Sequence, residues 1–227
     1  MGQSTSKYRF QESDWPHIWA IRDASVLDWK VGLKPNEIIA IQRCHDDLPV
    51  EITPTLYLGN CQCALDLVKL QRLGIQRVLN MAGPLAVLPK TIEQAMQEVG
   101  IKYKVIAAED ETDYPLLEKH WEEAHTFIHE GENEKVLVYC IAGQNRSALI
   151  VAAEYLVSTP GTNVIDTVRH IRRRRGNVAL QNEGFQEQFV AFARLHNLLG
   201  PAPTPTCPPS AKRTKKNKTN PLEKLTF

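Results

Sequence analysis

Residues 135–140 (KVLVYC) form a near-continuous apolar run, and residues 147–157 (SALIVAAEYLV) form another. A strand with no polar face is covered on both sides. A helix apolar all round is buried as well. The two together call for a sheet enclosed by helices.

The rest of the chain carries the same alternation. TLYLG (55–59) and IQRVLN (75–80) read as strands, separated by a helix over 62–73 that Gly74 ends. A helix over 91–99, stopped by Gly100, precedes the strand KYKVIA. Leu117, Trp121, Ala124 and Ile128 recur at helical spacing within 116–130, before Gly131. Helices over 163–175 and 183–199 finish the pattern, the latter with Phe185, Phe189 and Phe192 on one face. Alternating elements predict an α/β fold: a central, mainly parallel sheet flanked by helices, with a helical C-terminal part.

Composition bounds the rest. The chain has 227 residues, 43% hydrophobic and 23% charged. It is too apolar for a wholly disordered chain and has no run of eighteen apolar residues to cross a membrane. No apolar signal core opens the chain, and five scattered cysteines do not make a disulfide scaffold, so reduced thiols in a cytosolic or nuclear protein are expected. From Gly200 onward the charge is +5, which leaves −4 on the preceding residues. A uniformly basic nucleic-acid-binding domain is not expected. Three regions follow. Residues 1–47 are an extension, partly helical around Trp15, Ile18 and Trp19, docked on the domain. Residues 48–199 are the domain. Residues 200–227 are a disordered tail, proline-rich and then basic.

The segment Val136-Leu-Val-Tyr-Cys140-Ile-Ala-Gly143-Gln-Asn-Arg146-Ser147 carries chemistry. A buried strand ends at a cysteine, and a helix starts five residues later at an arginine. Such a turn gathers backbone N–H groups at a helix N-terminus, which is an anion site. The same potential lowers a cysteine pKa from about 8.5 toward one where thiolate prevails at neutral pH. Arg146 can hold two phosphate oxygens with its planar fork. Gly143 permits the turn, and Ser147 brings a hydroxyl toward the sulfur. A bare C-x5-R pattern recurs by chance. Its place at a strand-to-helix junction, with the glycine and serine, makes it informative.

On these residues the chain resembles the cysteine-based protein phosphatases and, within them, the dual-specificity phosphatases, a protein-tyrosine-phosphatase-like fold. The family signature is H-C-x-x-G-x-x-R-(S/T). Three more segments match in order: Ile52-Thr-Pro-Thr-Leu-Tyr-Leu-Gly59, Gly74-Ile-Gln-Arg-Val-Leu-Asn80 and Asn182-Glu-Gly-Phe185. The resemblance covers most of residues 50–195. It implies hydrolysis of phosphotyrosine and phosphoserine or phosphothreonine in two steps, without metal or cofactor. Cys140 would be the nucleophile, Arg146 the phosphate clamp and Ser147 the aid to thiolate departure. Backbone amides of Ile141, Ala142, Gly143, Gln144, Asn145 and Arg146 would complete the cradle. The general acid is implied on the loop 108–114, where alignment points to Asp110, with Asp113 as runner-up. One residue departs from the family: Tyr139 stands where histidine is usual. Tyrosine can hydrogen-bond nearby backbone but cannot carry positive charge. That leaves open a phospho-binding module of weak or no activity. The same chemistry on an RNA 5′-phosphate or a phospholipid is a further alternative.

Other signals have plainer readings. Arg172–Arg175 suit a helix C-terminus or make a basic rim for acidic substrates. Met1-Gly2-Gln-Ser-Thr-Ser6 fits the acylation pattern at Gly2. With the basic tail as a second signal, it would give peripheral membrane contact. The tail equally suits nuclear entry or solubility. Cys61 and Cys63 read as buried, inert thiols, and the seven histidines show no ligand spacing.

Overall fold

Val50–Thr53 (β1), Leu56–Asn60 (β2), Ile75–Asn80 (β3), Lys102–Val105 (β4) and Lys135–Cys140 (β5) pair in one sheet ordered β1-β2-β5-β3-β4. The structure is a computed structural model that describes residues 7–24 and 47–203. β1 runs antiparallel to β2, and every other pairing is parallel. The apolar run β5 lies between β2 and β3, and Val136 to Cys140 are all buried. Its carboxyl end therefore opens at the middle of the sheet's C-terminal edge, where open α/β sheets place their ligands.

The helices are Trp15–Asp23 (α1), Cys61–Leu65 (α2), Leu67–Leu73 (α3), Lys90–Glu98 (α4), Leu116–His129 (α5), Arg146–Ser158 (α6), Val164–Arg175 (α7) and Glu183–Leu195 (α8). α6 is buried nearly all round, as its composition requires, against β5, β2, α5, α7 and α8. Gly74 and Gly100 stop α3 and α4 with φ of 73° and 78°, which glycine adopts without steric penalty.

Three elements differ from expectation. The single helix over 62–73 is two, because Asp66 leaves helical geometry and its carboxylate accepts from Lys69 N–H (2.9 Å), capping α3. The last helix ends at Leu195 rather than 199. There Leu198 N–H reaches Ala193 O and Asn197 N–H reaches Arg194 O, a Schellman motif with Asn197 in the left-handed position. β1 is additional: four residues between Pro49 and Pro54 make a short edge strand.

The described part of the N-terminal extension packs on α7 and α8. Ile18 and Ile21 of α1 are fully buried, and Tyr8 lies against Phe192 (5.5 Å between rings). Trp15 is half-buried between Phe10 and Trp19, while Trp19 stays 41% exposed. Buried Asp14 takes the Arg194 guanidinium at 3.0 Å. Deeper in, Arg172 donates to four carbonyls: Ile21 and Ala24 of the extension, and Ala179 and Leu180 of the loop before α8. Burial without a carboxylate partner pushes its guanidinium down to about 10. Gly2, Trp29, Cys44 and residues 204–227 lie outside the described residues.

Replacing Arg172 by Met would take this donor from the carbonyls of Ile21, Ala24 and Ala179, while Leu180 O keeps Gln186 Nε2. Stability should fall by about 3 kcal/mol, measured as a lower urea midpoint. Residues 7–24 should become protease-sensitive before the core does.

Candidate active site

β5 ends at Cys140 and α6 begins at Arg146, so residues 141–145 must turn within one short loop. Every carbonyl from 141 to 144 is bonded to a group outside the loop. Ile141 O accepts from Cys61 N–H (3.2 Å) and Gln144 O from Leu180 N–H (2.7 Å). Ala142 O and Gly143 O accept from the Nη2 and Nε of one guanidinium, Arg175, at 2.9 and 3.0 Å. In a trans peptide the C=O and the following N–H point opposite ways. With four carbonyls drawn outward, the N–H groups of residues 142–145 turn to the inside of the loop. Gly143 makes this possible. Its φ is 64°, and a Cβ there would lie 2.5 Å from Gly59 O.

Cys140 is buried, and Ser147 Oγ donates to its Sγ at 3.2 Å. Arg146 is also buried, with Nη1 on Ala108 O (3.2 Å). Its Nε is buried without a hydrogen-bond partner, and Asp110 Oδ2 is 3.7 Å away, beyond bonding range. A buried charged donor left open in this way is matched by an anion placed in the cradle.

Asp110 stands over the loop, its side chain one-third exposed. Asn182 Nδ2 donates to Oδ1 (3.1 Å) and Asn145 Nδ2 to Oδ2 (3.4 Å). Each asparagine is itself anchored. Asn145 Oδ1 accepts from the N–H groups of Gln181 and Asn182, and Asn182 Oδ1 caps α8 at Phe185 N–H. Asp113, the runner-up, is exposed. Gly184 explains the Asn182-Glu-Gly-Phe185 match: a Cβ would sit 1.7 Å from Thr112 O, so only glycine lets α8 approach the acidic loop.

Tyr139 is fully buried on the opposite face of β5 from Cys140, as successive strand residues are. Its hydroxyl donates to Ala86 O (2.9 Å) and pairs with Tyr103 Oη (2.9 Å). Burial pushes its phenol well above the usual range. Asn80 Nδ2 donates to Tyr103 Oη and to Ala86 O. Tyr139 thus braces the segment after β3 and lies away from the pocket.

All four of Arg172–Arg175 lie in the last turn of α7, as the helix C-terminus reading has it, but a rim of four surface arginines needs correction. Arg172 and Arg175 are interior, and only Arg173 and Arg174 are exposed. The signal was present, since Val164, Thr167, Val168, Ile171, Arg172 and Arg175 form one buried stripe at helical spacing. The histidines also need correction. His125 and His129 stand one turn apart on α5, and Glu154 of α6 meets them both. Cys63 is buried, its Sγ donates to Asn60 Oδ1, and burial pushes its thiol up.

Residues 56–194 match the family model described as dual specificity phosphatase, catalytic domain. Among curated relatives, the chain is 31% identical over 147 residues to dual specificity protein phosphatase 26 of Homo sapiens, covering 63% of this chain and 66% of that one. It is 34% identical over 171 residues to dual specificity protein phosphatase 6 of Mus musculus, covering 73% and 42%. It thus spans just under two thirds of the first relative and less than half of the second. The crystal structure of DUSP15 superposes with a TM-score of 0.52 at 30% identity, covering 65% of this chain and 90% of that one. The chain belongs to the dual-specificity phosphatase family.

Two outcomes follow from the loop's supports. Arg175→Ala should weaken orthovanadate binding by on the order of 100-fold, because the amides lose their fixed orientation; calorimetric titration measures this. Tyr139→Phe should lower unfolding stability by about 1 kcal/mol through loss of the hydroxyl's hydrogen bonds to Tyr103 Oη and to Ala86 O, which keeps Asn80 Nδ2. Vanadate affinity should then hold within about threefold, since the ring faces away from the pocket.

Proposed function

We propose that the chain hydrolyses phosphoprotein monoesters, on phosphotyrosine and on phosphoserine or phosphothreonine, through a phosphocysteine at Cys140. One observation carries this reading: a buried Arg146 Nε with no hydrogen-bond partner, beside a cysteine loop whose carbonyls from 141 to 144 are all bonded outward.

In the first step the Cys140 thiolate attacks phosphorus. An S–P bond forms and the P–O bond to the substrate oxygen breaks. Arg146 and the loop amides bind the equatorial oxygens, whose charge they stabilise through the transition state. The Asp110 carboxyl gives its proton to the leaving oxygen. In the second step the Asp110 carboxylate takes a proton from water, and the water oxygen attacks phosphorus. The S–P bond breaks, and the Ser147 hydroxyl stabilises the departing thiolate through the contact it already makes. No step calls on a metal. The asparagine pair holds Asp110 against the loop, which favours it over Asp113.

Tyr139 motivated the non-catalytic alternative. Its ring lies on the other face of the strand, and the partners of its hydroxyl, Tyr103 Oη and Ala86 O, are not in the cysteine loop. Peripheral membrane contact rests on the Gly2 pattern and the basic tail, both outside the described residues, and a cytoplasmic or nuclear location rests on the tail and on the cysteine usage.

Cys140→Ser should abolish turnover of phosphopeptides. Asp110→Asn should slow it by about 100- to 10,000-fold. The Asp110→Asn defect should shrink as the leaving phenol becomes more acidic, because such a phenolate departs without a proton. A defect independent of the leaving group would remove Asp110 from the role. Faster turnover of RNA 5′-triphosphate or phosphoinositide than of phosphopeptides would reassign the substrate.

A further inference from the structure

On the side of α6 remote from its N-terminus, His125, His129 and Glu154 converge. The three ligand atoms all lie within 4.8 Å of one another. We propose that His125 Nδ1, His129 Nε2 and a carboxylate oxygen of Glu154 bind one zinc-class divalent ion, which staples α5 to α6. The proposal does not rest on the phosphatase reading.

Several observations carry it. His125 and His129 are four apart on one helix, so their rings share a face. Each ring nitrogen meets a different oxygen of the same carboxylate, at 2.8 and 2.7 Å. That carboxylate is 4% exposed and is also bonded by Ser158 Oγ, the outer support that ligating carboxylates characteristically have. The His125 ring is stacked on Trp121 at 4.9 Å, which fixes its direction. A tetrahedral ion with bonds of about 2.0–2.2 Å separates its ligands by about 3.4 Å. The present nitrogen–oxygen separations of 2.8 and 2.7 Å lie inside that spacing, so binding has to part each ring nitrogen from the carboxylate by about 0.6 Å. Beside His129 and Glu154 lies a solvent-open cavity of about 220 Å³, lined also by Thr53 and Ser158 among others. It has room for the water that would complete four-coordination. Two imidazoles and one carboxylate suit zinc and neighbouring transition metals rather than calcium or magnesium, which take mainly oxygen ligands. A plain ion pair is the competing explanation. One protonated imidazole would suffice for it, whereas here two imidazoles converge.

The test uses the full chain carrying Cys140→Ser, which removes the thiolate most able to capture a soft metal. Zinc is titrated against a chromophoric chelator, and cobalt(II) replaces it for spectroscopy. We expect one equivalent bound with a Kd of about 1 μM or lower. Cobalt should give tetrahedral visible bands without a sulfur-to-metal charge-transfer band. Adding His129→Ala, a half-exposed position that should fold normally, should weaken binding by at least about tenfold. It should also abolish the rise in Tm that zinc gives the parent. Equal affinity with and without His129, no binding below about 100 μM, or a thiolate charge-transfer band would overturn the proposal.

Discussion

The grip of Arg175 on Ala142 O and Gly143 O sets the geometry on which the rest of the site depends. A short loop between a strand and a helix has no secondary structure of its own to fix its peptide planes. Left alone, its carbonyls would sample both faces, and a carbonyl pointing inward would repel a phosphate. A rigid two-pronged donor behind the loop removes that freedom, because the fork matches two successive carbonyls at once. Cys61 N–H and Leu180 N–H bond the carbonyls on either side. The shape of the proposed phosphate cradle is thus set from outside the loop, by the donors of Arg175, Cys61 and Leu180.

Leu180 extends this arrangement to the remainder of the molecule. Its N–H holds the cysteine loop, and its carbonyl accepts from Arg172 and from Gln186 Nε2. Leu180 itself has φ of 58°, uncommon for a branched side chain, and is held there by contacts on both peptide groups. Arg172 in turn binds the carbonyl end of α1. A continuous hydrogen-bonded path therefore runs from the N-terminal extension through α7 to the cradle. The extension buries Ile18 and Ile21 in the same core cluster as the sheet, so it contributes to the stability of the element that positions the loop.

What the sequence made legible was local. β3 and β5 were readable to the residue because apolar runs and a glycine stop lie in a few consecutive positions. Cys140, Gly143, Arg146 and Ser147 were readable because this chemistry is packed into one loop. What was hidden depends on partners distant along the chain. Arg175 looked like a surface charge until its carbonyl acceptors, more than thirty residues earlier, were in place. The break at Asp66 turns on a cap competing with helix continuation, which periodicity does not register. β1 is four residues bounded by prolines, and only its partner β2 makes it a strand. The histidine pair was visible as an i, i+4 spacing, but Glu154 arrives on another helix, twenty-five residues beyond His129.

Tyr139 shows how a departure from the family pattern is accommodated. Strand alternation sends residue 139 to the face opposite the sulfur, so its hydroxyl serves Ala86 O and Tyr103 rather than the cysteine. No imidazole therefore stands before Cys140. In the proposed reaction, negative charge at Cys140 would be met by the loop amides, by the N-terminus of α6 and by the Ser147 hydroxyl. These are dipoles and hydrogen bonds fixed by the fold, with no titratable cation among them except the arginine clamp. Stabilisation of the thiolate then depends on how rigidly the loop is held. In this chain that rigidity comes from the interior arginine Arg175 and from the backbone of the loop before α8.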